Sequence, residues 1–137
     1  MAVIEELIRN EEDGTISFGN YTLDNKSKVS DFQHDGDIYK VKTFKEITKL
    51  ERNGMFVYES VPGTAVTNMS VMEKGISFVV EGTADAQISL ELEPEKDYKI
   101  FIDDTNVGKM KTNLGGKLVL SVELNENEKV KIRVVKL

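Results

Sequence analysis

The chain has no cysteine, no tryptophan, one histidine and two prolines in 137 residues. Without cysteine there are no disulfides, thiolate metal sites or thiol nucleophiles, and the composition suits a reducing compartment. A single histidine removes most transition-metal sites, which draw on several nitrogen or sulfur ligands. No metal or other cofactor is expected. Long hydrophobic runs are also missing. The longest uncharged run, residues 60–72, contains Pro62, Gly63 and several hydroxyl residues and is too short to span a bilayer. The opening MAVIEELIRN sets Glu5 and Glu6 directly after a short apolar pair, so it has neither the basic region nor the apolar core of a secretory signal. A cytoplasmic location is the resulting expectation. Eighteen Lys and Arg against 24 Asp and Glu give a net charge of -6, with no Lys/Arg block to offset it. Phosphate backbones and anionic lipid are repelled by such an average surface, so neither nucleic acid nor a membrane is an expected partner.

What the chain does have is turn chemistry between alternating runs. Asp13-Gly14, Asp35-Gly36 and Asn53-Gly54 each join segments that can pair, and such dipeptides tolerate the positive φ angles of tight hairpin turns. Around Asn53-Gly54, Thr48, Leu50 and Arg52 alternate with Ile47, Lys49 and Glu51, and Phe56 and Tyr58 with Met55, Val57 and Glu59. Pro62 removes a ladder donor, so the second strand should end before it. Two segments, 2–9 and 44–52, read as either helix or strand, because Val3, Ile4, Leu7 and Ile8, and Ile47 with Leu50, also fit a helical stripe. From Gly75 onward six runs rich in β-branched or aromatic residues follow: ISFVVEG, AQISLELE, YKIFIDD, VGKMKT, GKLVLSVEL and KVKIRVVKL. The expected fold is all-β. A hairpin-built subdomain over residues 1–69, with a possible short helix, precedes an antiparallel sandwich of about six strands over 70–137.

The order YKIFIDDTNVGKMKTNLGGKLVLSVEL resembles the small immunoglobulin-like β-sandwich modules appended to bacterial carbohydrate-active enzymes, over roughly the last 60 residues. Over its whole length the chain also resembles small bacterial proteins labelled endosialidase. Sialidase-type enzymes are built on a propeller of several hundred residues, and no arginine triad with a Tyr-Glu pair can be matched here. The resemblance therefore implies a fold more than a chemistry.

Candidate chemistry is sparse. His34 in DFQHDGD is a general base if Asp31, Asp35 or Asp37 orients it, and otherwise a loop histidine before a turn. Asp31, Asp35 and Asp37, or Asp103, Asp104 and Asn106, offer oxygens to calcium but lack the EF-hand spacing. Glu59 beside Tyr58 is the most prominent carboxylate near an aromatic, although alternation sends the two to opposite faces. Ser60 in ESVPG lacks the G-x-S-x-G elbow. The ligand-binding candidates are Tyr39, Tyr58, Glu59, His34 and Asp37. No catalytic set stands out. The expected role is a non-enzymatic protein-interaction or assembly module, with a protein partner or a second copy. The alternatives are a carbohydrate-binding accessory protein and a small carboxylate-dependent glycoside hydrolase.

Overall fold

A computed structural model describes residues 3–137. Among these residues every regular element is a strand, and no helix is long and apolar enough to cross a membrane. The N-terminal half supplies β1 (Ile8–Asn10), β2 (Ile16–Phe18), β3 (Ser27–His34), β4 (Asp37–Phe44), β5 (Ile47–Arg52) and β6 (Met55–Val61). The chain continues through β7 (Ala65–Met72), β8 (Gly75–Glu81), β9 (Ala86–Glu91), β10 (Asp97–Ile102), β11 (Thr105–Lys111), β12 (Lys117–Val122) and β13 (Val130–Lys136).

Two of the three turn signals close tight hairpins, whereas Asp13-Gly14 lies within the longer connection of residues 11–15 between β1 and β2. Asp35-Gly36 and Asn53-Gly54 both have positive φ, at 52° and 84° and at 51° and 82°, and each closes a two-residue turn between paired strands. Among the described residues neither ambiguous segment is helical: residues 5–7 form a turn with Leu7 at φ 72°, and residues 45 and 46 form another. Residues 47–52 form β5, and residues 8–10 form β1, while position 2 lies outside the described residues. The helical alternatives lose because the apolar side chains are needed on a sheet face: Leu50 is fully buried opposite Tyr58.

The strands form two antiparallel sheets. One has seven strands in the order β1-β2-β7-β8-β13-β10-β11, and the other six in the order β12-β9-β6-β5-β4-β3. The expected division at residue 69 does not follow them. That position falls inside β7, and both sheets combine strands from the two sides of it. Of the six C-terminal runs, β8, β10, β11 and β13 enter one sheet, whereas β9 and β12 join the other beside β6. The chain passes between layers at Pro62-Gly63, where β6 ends and β7 begins. One core lies between the sheets. Tyr58 of the six-stranded sheet meets Phe18 and Phe78 of the seven-stranded sheet edge-on, at 5.3 and 5.5 Å between centroids.

Candidate functional site

His34 and Asp37 are register partners flanking the β3–β4 turn, and with Asn10, Gln33, Asp35 and Ile38 they line a shallow cleft of about 580 Å³. The ring of His34 stands edge-on to Tyr39, 5.6 Å between centroids. Three of the five candidates, His34, Asp37 and Tyr39, therefore meet at one corner. Their partners make the corner structural. His34 Nδ1 meets Asn10 Oδ1 rather than a carboxylate, and Asn10 Nδ2 donates to Gln33 O at 3.3 Å, tying β1 of one sheet to β3 of the other. Asp37 Oδ1 accepts from Asn53 Nδ2 at 2.9 Å, while Asn53 Oδ1 accepts from Ile38 N–H at 3.0 Å. One side chain thus clamps two adjacent hairpin turns. Asn53→Ala is expected to lower stability by about 1–2 kcal/mol, measured by urea unfolding, because two hydrogen bonds and a favourable positive-φ residue go together.

Tyr39 is only 4% exposed, and burial pushes its phenol above the usual range against a hydrogen bond from Arg52. Tyr58 is fully buried, so it offers no ring face to a sugar. Its hydroxyl belongs to an internal network. Thr64 Oγ1 hydrogen-bonds both Tyr58 OH and Ser60 Oγ at 2.7 Å, Thr48 Oγ1 donates to Thr64 O at 2.8 Å, and Thr43 Oγ1 meets Thr48 Oγ1 at 2.8 Å. Ser60 is thus a buried member of that network. Asp103 and Asp104 form the β10–β11 turn with positive φ and hold Lys131, whose N–H donates to Asp103 Oδ1 at 2.9 Å. Among the described residues no cluster of three His, Cys, Asp or Glu side chains is placed to hold a metal.

Near the first corner, Glu11 accepts from the Ser17 hydroxyl and from Arg9, which hold its carboxyl below the ordinary range. A carboxyl whose folded pKa is depressed stabilises the fold above its unfolded pKa of about 4.3, and loses that contribution as pH falls through the folded value. Urea midpoints should therefore drop below about pH 4.3. Glu11→Gln should make that drop shallower.

Glu59 leads to a different surface. Because Val41, Thr43, Thr48, Leu50, Tyr58 and Ser60 point into the core, their neighbours on β3 to β6 point outward. Register then sets Lys28 directly opposite Lys42, Lys42 opposite Lys49, and Lys49 opposite Glu59. Lys40 lies two residues along β4, opposite Glu51, and Lys26 precedes β3 with its Nζ 5.9 Å from the Phe44 ring centroid. Five lysines thus share a face with two glutamates on a chain of net charge -6. Lys42, at the centre, has its pKa lowered first by burial and then by Lys26, Lys49, Lys28 and Lys40. Like charges directly opposite across strands are destabilising. The row spans roughly 10 Å over two strand spacings. The sequence does contain its signature, Lys26 with Lys28 and Lys40 with Lys42 at strand period, but only the register aligns the pairs.

A second outer strip on β10, β11 and β13 carries Lys99 opposite Lys109. Its balance of five cations to two carboxylates equals that of the first face, where Lys49 Nζ also lies 3.9 Å from Glu51 Oε1. Its cross-strand opposition of like charges, however, stops at that one pair. Lys111 lies opposite Asp97, Lys131 pairs with Asp104 at 3.2 Å, and Arg133 stacks 4.1 Å above Phe101. No protein-family model matches the chain, and neither a curated protein nor a solved structure matches it.

Proposed function

We propose that the protein is a non-enzymatic protein-interaction module, and that the outer face of β3 to β5 docks an extended acidic segment of a partner protein. The observation carrying this reading is the row Lys28–Lys42–Lys49, three like charges in direct cross-strand opposition. An anionic partner converts that repulsion into attraction on binding. Carboxylates two residues apart on an extended peptide recur at about 6.8 Å, the period of Lys40 and Lys42 along one strand. Ile38, Phe44 and Ile47 on the same face supply apolar contact between the charges. A short segment also suits the rest of the surface. Screening over about 8 Å lets it respond to the lysines alone, whereas a long polyanion would run onto the acidic remainder.

The test is titration with an eight-residue peptide alternating glutamate and serine. Lys28→Gln/Lys42→Gln/Lys49→Gln should weaken binding about tenfold or more, near 1.4 kcal/mol, without lowering the melting temperature. Lys99→Gln/Lys109→Gln/Lys111→Gln removes the same three charges from the other strip and should change binding little. Equal losses in the two triples, no binding at low salt, or preference for an oligonucleotide, a uronic-acid oligosaccharide or anionic vesicles would overturn the reading.

A further inference from the structure

The two sheets are unequal, and the inequality falls at one side. The edges of the sandwich are β1 with β3, and β11 with β12. Three of these edges are blunted against pairing. β1 is three residues long and tied to β3 through Asn10. β3 is interrupted between Val29 and Phe32, where Asp31 has φ 58°. β11 is bulged opposite Ile100 and Phe101, with Gly108 at φ 141°, and carries Lys109 and Lys111. Bulges and lysines are the usual protection of an edge strand. β12 has a single lysine, at its first residue, and neither a bulge nor a break: Lys117 to Val122 pair with β9 in unbroken register.

The hydrogen-bonding phase of β12 follows from its ends. Leu92 N–H donates to Gly116 O, so in the antiparallel alternation Leu118, Leu120 and Val122 bond β9 while Lys117, Val119 and Ser121 face outward. Lys117 confirms the phase, since its N–H donates to Asn113 Oδ1 at 2.9 Å and its carbonyl accepts from Asn113 N–H at 3.1 Å. Val119 and Ser121 direct their N–H and C=O groups away from β9.

Counting strands from the β1–β3 side, β12 falls opposite β10, and among the described residues the inner face of β11 is left exposed. Met110 is the register partner of Tyr98, yet Tyr98 is 2% exposed and Met110 38%. Val107 is 55% exposed, and a Cβ added at Gly108 would meet nothing within 4 Å. Between β11 and β12 lies a cleft of about 340 Å³ lined by Ile100, Ile102, Val107, Met110, Val119 and Leu120. The six-stranded sheet is one strand short of its partner layer at the place where its edge is open.

We infer that β12 accepts one extended segment of a partner chain as a seventh strand, with alternate apolar side chains seated under β11. Backbone groups of Val119 and Ser121 supply the ladder, and Met110 and Leu120 supply the pocket, the division of labour in strand addition. The occupant is a lone segment and not a second sandwich. Two β12 edges related by a two-fold axis would have both copies of β10 one strand spacing apart, leaving no space for either β11. This site is independent of the lysine face.

A synthetic peptide of residues 117–124, KLVLSVEL, serves as the probe. Antiparallel about Leu120, it sets its own lysine opposite Glu123 and its glutamate opposite Lys117. Amide exchange at Val119 and Ser121 should slow about tenfold or more at saturation. Val119→Pro deletes an outward donor while leaving the β9 ladder intact, and should abolish the effect at the remaining reporter, the Ser121 amide. Met110→Asp, which puts a charge in the cleft without touching β12, should do the same and covers the case in which the proline variant fails to fold. Unchanged exchange at both amides, or equal protection in folded Val119→Pro and Met110→Asp, would overturn the inference. So would a dimer in light scattering that Val119→Pro disperses, because the occupant would then be a second copy.

Discussion

Tyr58→Ala is expected to lower the unfolding free energy by about 4 kcal/mol, as for other large-to-small changes of a buried aromatic. The ring is fully buried between Phe18 and Phe78 and joins the two sheets at their centre. Truncation opens a cavity there and removes two edge-to-face contacts. It also strips a partner from Thr64, although Ser60 still holds that hydroxyl at 2.7 Å. Tyr58→Phe keeps the ring and should cost only about 1–2 kcal/mol. Urea unfolding followed by circular dichroism separates the two variants. A typical domain has about 5–15 kcal/mol in total, so the alanine variant should sit near its unfolding threshold. Equal losses in the two variants would mean that the hydroxyl network, and not the ring, holds the layers together.

Gly75→Ala should be comparably damaging, by about 3 kcal/mol or more, at the upper end of overpacking costs. Gly75 opens β8 with φ 150°, and a Cβ there would lie 1.9 Å from the carbonyl oxygen of Val134. That oxygen is backbone of the neighbouring strand β13, so no rotamer change relieves the overlap. Gly54→Ala, at a turn with open space around it, meets only the cost of its positive φ and should lose far less. Thermal melts of the pair distinguish close approach from backbone conformation alone. A Gly75→Ala protein as stable as Gly54→Ala would contradict the β8–β13 packing.

The contrast between these glycines shows which information is local. Asn53-Gly54 announces its turn within two residues, and the alternation of Leu118, Leu120 and Val122 announces a strand face. Gly75 looks like any strand opening, because Val134 approaches it from the far end of the chain. Strand existence was therefore readable, whereas sheet membership was not. β9 and β12 have the same pattern as β8 and β10, and only pairing with β6 assigns them to the other layer. The candidate site divides in the same way. His34 stands beside Asp35 in sequence, yet its partner is Asn10, brought in by the β1–β3 edge. Tyr58 reads as a strand aromatic open to a ligand, and its complete burial depends on Phe18 and Phe78 from the opposite sheet. The lysines are dispersed enough that no basic block appears. Cross-strand register, which is set by the buried face, gathers them.

Amide shift mapping by nuclear magnetic resonance, with the glutamate–serine peptide added to the intact protein, tests the binding surface most directly. Perturbations should cluster at Lys28, Lys40, Lys42 and Lys49 and fade as salt is raised. A cluster at Lys99, Lys109 and Lys111, or shifts spread evenly over all exposed lysines, would contradict the assignment of binding to the β3–β5 face.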